Sequence, residues 1–156
     1  MTPSPRTSTL HVGLRVTDLD RSLAFYAAVG YEVVGRVPET PIGQLTMLKL
    51  PGDEFVTVEL VHDGRPVERG TDVSHLVVQV GSMAETLDVL AGHGIEPVAP
   101  GHEGEDGLKT ALIADPDGRR IELVQWPAGH ADGMTAADWP EDAPPQAKRT
   151  AGAGGA

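Results

Sequence analysis

The feature that most constrains this chain is that it carries one phrase twice. Val58-Glu59-Leu60-Val61-His62 and Ile121-Glu122-Leu123-Val124-Gln125 both set a carboxylate among large aliphatic residues. The register runs through the chain. His11 and His75 stand 64 residues apart, Leu19/Met83, Leu23/Leu87, Gly30/Gly94 and Glu32/Glu96 keep that offset, and Glu59 and Glu122 are 63 apart. A fixed internal period means one supersecondary unit used twice. A unit of this size leaves a sheet face uncovered unless it pairs with its twin or with another chain.

The content of each unit follows from its periodicity. Residues 10–16 alternate and read as a strand, with Val12, Leu14 and Val16 facing one way and His11, Gly13 and Arg15 the other. Thr17-Asp18-Leu19-Asp20 offers a helix start, Leu19, Leu23, Tyr26 and Ala27 form an apolar stripe, and Gly30 is a natural stop. Residues 31–36 and 44–50 read as strands around a loop holding Pro38 and Pro41, and residues 54–61 as a fourth strand carrying Glu59. The pattern then restarts. Residues 74–80 are a strand, and Ser82 and Glu85 have capping-box spacing. Met83, Leu87 and Leu90 form the stripe, and Gly94 ends the helix. Residues 96–98 form a short strand, 100–107 a Gly- and acid-rich loop expected to be mobile, and 108–114 and 119–126 the last two strands, joined by the turn Asp115-Pro116-Asp117-Gly118.

The predicted fold class is therefore α+β, with two tandem βαβββ modules pairing into a cupped, barrel-like mixed sheet. The modules are assigned to residues 9–62 and 73–127, with a polar connector at 63–72. Residues 1–8 read as a flexible leader. Residues 128–156 read as an Ala/Gly/Pro-rich tail, mostly disordered, with Trp139 as the residue able to dock it.

Composition narrows the function. Acidic residues outnumber basic ones 23 to 12, for a net charge of −11, so the surface repels nucleic acid and anionic membranes. There is no cysteine, so any metal must be held by nitrogen and oxygen ligands. The first residues lack the apolar stretch of a signal peptide and no run is long enough to span a membrane, so a cytoplasmic protein acting on a small molecule is expected.

The candidate chemistry lies in the matched positions. A histidine opens the first strand of each module and a glutamate sits in the last. If the modules pair by pseudo-twofold symmetry, His11, Glu59, His75 and Glu122 converge. Two imidazoles and two carboxylates suit a divalent first-row metal: Ni2+ or Zn2+ first, with Fe2+, Mn2+ or Co2+ also compatible. Four protein ligands in an octahedral site leave two positions open, as a catalytic metal requires. Either pair alone reads more readily as a hydrogen-bonded or half-exposed histidine and a solvent-facing glutamate. Recurrence in register is what favours ligands.

Arg15 shares the face of His11 and reads either as a clamp for a substrate carboxylate or as a salt bridge within an acidic protein. His62, His93, His102 and His130 have no such matched partners; His93 is placed at a helix end and the others in loops. Phe25 and Tyr26 read as core, and Lys109 and Arg120 as exposed charge.

The chain resembles the vicinal oxygen chelate superfamily, which includes glyoxalase I, bleomycin-resistance proteins and extradiol dioxygenases. The resemblance spans residues 10–126. It is carried by residues 18–26 (Asp-Leu-Asp-Arg-Ser-Leu-Ala-Phe-Tyr) with Gly30-Tyr31-Glu32-Val33, and by Asp115-Pro116-Asp117-Gly118 with Ile121-Glu122-Leu123. It implies paired βαβββ modules around a metal, and its His/Glu/His/Glu set is closest to glyoxalase I. On that resemblance the metal ligands are His11, Glu59, His75 and Glu122, Glu122 and Glu59 are the catalytic carboxylates, and Arg15 lies near a substrate carboxylate. Asp63 stands where the bacterial enzymes usually carry Asn. The implied activity is that of a metal-dependent lyase on the hemithioacetal of a 2-oxoaldehyde such as methylglyoxal, in a homodimer. The same scaffold also serves dioxygenases, epimerases and metal-free drug- or natural-product-binding resistance proteins, which remain the alternatives.

Overall fold

The computed structural model describes residues 9–68 and 75–139. The chain divides into two compact units, residues 1–68 and 69–156. The leader 1–8, residues 69–74 (the end of the connector and the start of the second module) and the tail beyond 139 lie outside the described residues.

The first unit runs β1 (Val12–Arg15), α1 (Leu19–Val29), β2 (Glu32–Val37), β3 (Gln44–Lys49) and β4 (Val58–His62). Its sheet has the order β1-β4-β3-β2, with β1 parallel to β4 and the other pairs antiparallel. One sheet face is core: Leu14, Thr46, Leu48, Val58 and Leu60 are buried, as are Phe25 and Tyr26 of α1. The helix starts where Asp18 caps it, accepting from the Arg21 amide at 3.1 Å. It ends where Gly30 takes φ 122°, and the Tyr31 amide reaches back to the Tyr26 carbonyl at 2.9 Å.

The helix face differs from the expected stripe. The buried residues are Ser22, Phe25 and Tyr26, while Leu19 and Leu23 are half-buried and Ala27 is exposed. The aromatic rings set this rotation: Tyr26 meets Phe25 edge-on at 5.1 Å and Tyr31 at 5.7 Å. Burial, with Asp53 adding to it, pushes the Tyr31 phenol up to about 12, so it stays neutral. The fourth strand is shorter than 54–61. The Asp53 carboxylate accepts from the Leu50 amide at 3.0 Å and the Thr57 hydroxyl at 2.9 Å, which holds 50–57 as a loop and delays pairing to Val58. The first strand is also shorter than 10–16, and Val12 is 47% exposed rather than core.

The second unit repeats the plan: β5 (His75–Gln79), α2 (Met83–Gly92), β6 (His102–Glu103), β7 (Lys109–Ala114) and β8 (Arg120–Gln125), in the order β5-β8-β7-β6. β5 is parallel to β8 and the remaining pairs are antiparallel. Ser82 caps α2, accepting from the Glu85 amide at 3.2 Å. At the other end the Ile95 amide returns to the Leu90 carbonyl at 2.9 Å, the counterpart of Tyr31 to Tyr26 at the same 64-residue offset. His93 is the helix-end residue the sequence predicts. Both units are thus βαβββ modules of an α+β fold, each with an open four-stranded mixed sheet.

The expected strand at 96–98 does not form. Pro97 and Pro100 lack the amides that a ladder needs, and one bond remains there, from the Val98 amide to the Leu112 carbonyl at 2.8 Å. Pairing moves into the supposed mobile loop, where β6 faces β7 through His102 opposite Thr110 and Glu103 opposite Lys109. His102 and His62 therefore lie in strands, not loops.

The first part of the expected tail is ordered. The Trp126 and His130 rings stack 4.4 Å apart at 11°, and His130 Nε2 lies 2.6 Å from Asp138 Oδ1. Trp126 Nε1 donates to Gln79 Oε1 at 3.1 Å and Gln79 Nε2 donates to Asp132 Oδ1 at 3.2 Å. Polar and ring contacts anchor what aliphatic burial alone does not, and His130 is partnered. Trp139 is half-buried.

Candidate metal centre

Each module places one imidazole against one carboxylate on the sheet face opposite its helix. In the first, His11 immediately precedes β1, and its Nε2 lies 3.4 Å from Glu59 Oε1. The parallel register sets Gly13 beside Glu59, so the side chains of His11 and Glu59 come to the same side. In the second, His75 opens β5 and its Nε2 lies 3.0 Å from Glu122 Oε2. Glu122 is 5% exposed, between Ile121 and Leu123 at 0%. A carboxylate this deep is costly unless something favours its charge, and His75 supplies the partner.

The sequence-predicted residues thus come together two by two, His11 with Glu59 and His75 with Glu122, each pair inside its own unit. Among the described residues, no group of three or more His, Cys, Asp or Glu is gathered at one point.

Arg15 is engaged. Its guanidinium contacts the Asp63 carboxylate, which also receives Arg65 Nη2 at 2.6 Å, Nε at 2.9 Å and the Arg65 amide at 3.0 Å. These Arg65 hydrogen bonds first, and Arg15 after them, hold the Asp63 carboxyl well below the usual carboxylate range. Of the two sequence readings of Arg15, the salt bridge is the one present.

The repeat holds one step further along each face, a relation the sequence reading missed. Gln79 stands 64 residues after Arg15, and Trp126 stands 63 after Asp63. Arg15–Asp63 and Gln79–Trp126 are equivalent bridges between the parallel strands of each module, ionic in one and amide-to-indole in the other. The offset was the available signal. The turn before Glu122 is equally ordered: Asp115 Oδ1 accepts from the amides of Asp117 at 3.0 Å and Arg119 at 2.8 Å, and Gly118 takes φ 83°. That turn fixes where β8 begins, and so where Glu122 sits.

Comparison with known proteins decides the family. The model of the Glyoxalase/Bleomycin resistance protein/Dioxygenase superfamily matches residues 8–123. The chain belongs to that superfamily. It is 34% identical over 128 residues to a Vibrio cholerae protein named "Probable lactoylglutathione lyase", covering 78% of this chain and 93% of that one. It is 31% identical over 126 residues to the lactoylglutathione lyase of Neisseria meningitidis serogroup A, covering 77% and 91%. The fold is similar to that of a glyoxalase I variant from Zea mays, with TM-score 0.64 at 24% identity over 76% of this chain and 44% of the maize chain. A glyoxalase family protein from Enterococcus faecalis superposes with TM-score 0.63 at 23% identity, covering 75% of this chain and 96% of that one. As a superfamily member with lactoylglutathione lyases among its relatives, the chain is glyoxalase-like in fold and ancestry. Among the described residues, no helix is long and apolar enough to cross a membrane.

Proposed function

We propose that this protein is a metal-dependent, glyoxalase I-like lyase that isomerises the hemithioacetal of a 2-oxoaldehyde, such as methylglyoxal, and a thiol. The observation that carries the reading is the recurrence of one imidazole–carboxylate pair at the same place in both modules. The relatives named lactoylglutathione lyase support it, since the match covers about nine-tenths of their length.

The donor set fits a divalent cation. Each module brings one imidazole nitrogen and one carboxylate oxygen together, at 3.0 Å for His75–Glu122 and 3.4 Å for His11–Glu59, and paired N and O donors suit a divalent first-row metal. His11, Glu59, His75 and Glu122 would hold the ion once the two modules pair as a cupped sheet, within one chain or between two. A cation held there would supply Lewis acidity toward a bound substrate.

The chain's own residues do the rest. A glutamate, Glu59 or Glu122, takes the proton from the carbon bearing sulfur and hydroxyl and returns it to the adjacent carbonyl carbon. The hydroxyl proton moves to the other oxygen, so the hemithioacetal becomes a 2-hydroxy thioester with no oxidant or reductant needed. Arg15 lies on the His11 face with its guanidinium on Asp63, and it would orient an anionic group of the substrate only by sharing or exchanging that partner.

The test is elemental analysis of protein purified without a metal-binding tag or chelator, comparing wild type with Glu59→Ala, followed by methylglyoxal turnover with several thiols. Near-stoichiometric Ni, Zn, Co, Mn or Fe, weakened by the substitution, is expected. No metal after reconstitution would overturn the reading and favour a ligand-sequestering protein.

A further inference from the structure

The segment that follows the last strand is fastened across one end of the second module's face, and the fastener is a histidine. Residues 127–139 carry their own internal bonds, with a short 3-10 turn at Ala136–Asp138. Trp126 Nε1 donates to Gln79 Oε1, and Gln79 Nε2 donates to Asp132 Oδ1. Gln79 lies four residues beyond His75 on β5, so strand alternation puts it on the same sheet face as His75 and its partner Glu122. The segment therefore docks at one end of the face that bears the His75–Glu122 pair.

The contacts of His130 specify its protonation state. Its Nδ1 lies 2.7 Å from the Ala131 carbonyl oxygen and its Nε2 lies 2.6 Å from Asp138 Oδ1. The other Asp138 oxygen accepts from the Thr135 amide at 2.8 Å, which favours the charged carboxylate. A carbonyl oxygen and a carboxylate only accept, and a neutral imidazole has a single N–H. Both bonds form only when both ring nitrogens carry protons. Turning the ring over would set carbons against both oxygens and lose both bonds. The ring also stacks on Trp126, with centroids 4.4 Å apart at 11°, which suits a cation over an indole face. Asp138 in contact, and Asp132 linked through Gln79 to the same indole, both favour the protonated ring. The first module fastens its own exit with a different residue: Arg65, two residues after Asp63, grips that carboxylate at 2.6 and 2.9 Å. A guanidinium stays charged near neutrality, whereas a free imidazole gives up its proton at about pH 6.5.

We propose that residues 127–139 form a pH-dependent strap, docked over the Gln79–Trp126 end of the His75–Glu122 face while His130 is doubly protonated and released when it gives up one proton. Docking holds the second proton and release frees it. The stabilisation is therefore complete below the free imidazole value of about 6.5 and is lost as the pH rises through the value held in the clasp. Closed, the strap walls one end of that face. Open, it uncovers Trp126 and Gln79 to water and to an incoming molecule. The device goes beyond the lyase reading and does not depend on it, because none of its groups is a candidate metal ligand.

The test is an NMR titration of the isotope-labelled full chain from about pH 6 to about pH 9, spanning the free imidazole value. At the acid end both His130 ring nitrogens are expected to carry protons and the backbone of 130–138 to be rigid. At the alkaline end one ring proton is expected to be lost and the order parameters of those residues to fall below about 0.6. His130→Gln is expected to abolish the step and leave the segment loose throughout. Asp138→Asn, still able to accept from the Thr135 amide, is expected to move the midpoint down by about one pH unit or more. A singly protonated His130 in a rigid segment at the acid end, an order that does not change across the range, or a step that survives in His130→Gln would each overturn the strap. None of these readouts uses turnover, so the strap and the lyase reading fail separately.

Discussion

Glu122 shows how much a single residue can commit a chain to. It sits between two fully buried aliphatics, keeps 5% of its surface, and has His75 at 3.0 Å. Replacing it by Gln keeps the volume and the hydrogen-bonding reach but removes the charge. Glu122→Gln is expected to lower turnover with methylglyoxal hemithioacetals by about 10²- to 10⁴-fold, with an unchanged circular dichroism spectrum; near-normal turnover would count against the assignment. Asp63 carries a different prediction. Its carboxyl lies below the usual value of 3.8 because Arg65, and then Arg15, favour the charged form. A group depressed in the folded state stabilises fully above its unfolded value and loses that contribution as pH falls toward the folded one. Urea midpoints of wild type and Asp63→Asn should therefore differ near neutrality and converge as the pH drops below 3.8. A gap that persists unchanged in acid would show that Asp63 acts by packing instead.

The elements are held by local choices that can be tested one at a time. Gly43 takes φ 124° just before β3, and a Cβ there would meet the His62 carbonyl oxygen at 2.6 Å and its carbon at 3.0 Å. Those are backbone atoms of the neighbouring strand end, which cannot step aside without breaking the Gln44–His62 register. Gly43→Ala is expected to cost about 2 kcal/mol or more in chemical denaturation. A cost below half of that would mean the strand ends relax freely. The interior of the same module holds the opposite case. Ser22 on α1 and Thr46 on β3 are fully buried, and their hydroxyls have no hydrogen-bond partner among the described residues. Ser22→Ala and Thr46→Val should each raise stability by about 1 kcal/mol, by removing a buried polar atom that has lost water without replacement. A loss of stability in either would reveal a partner for that hydroxyl.

At the scale of the whole molecule, the two units need a reason to act together. Each presents one covered sheet face and one bearing the His–Glu pair, and neither pair alone supplies four ligands. On the proposed reading, a cation taking ligands from both pairs would stabilise the folded protein by mass action. Adding Ni2+ or Zn2+ to the metal-free protein is expected to raise the melting temperature of wild type by several degrees in a concentration-dependent way, an effect on the order of 3 kcal/mol at a hundredfold excess over Kd. On the proposed reading, Glu59→Ala and Glu122→Ala should each blunt the shift, because the proposed ion would take ligands from both pairs. Independence from one of the two would mean that a single module binds metal alone.

The sequence alone determined the repeat, and with it the βαβββ order, the helix caps at Asp18 and Ser82, and the four matched residues. These depend on periodicity and on local chemistry, which lie along the chain. Tertiary structure decided what depends on neighbours distant in sequence. Aromatic packing rotated the buried face of α1 from the Leu19/Leu23 stripe to Ser22, Phe25 and Tyr26. The prolines at 97 and 100 removed a strand there and β7 recruited His102–Glu103 instead. Asp63 gave Arg15 an ion-pair partner, and Asp138 and Trp126 gave His130 its contacts. The asymmetry of Gly13 and Val77 was written in the sequence as two letters. Only the strand register set each of them beside a glutamate, because parallel pairing joins residues far apart along the chain.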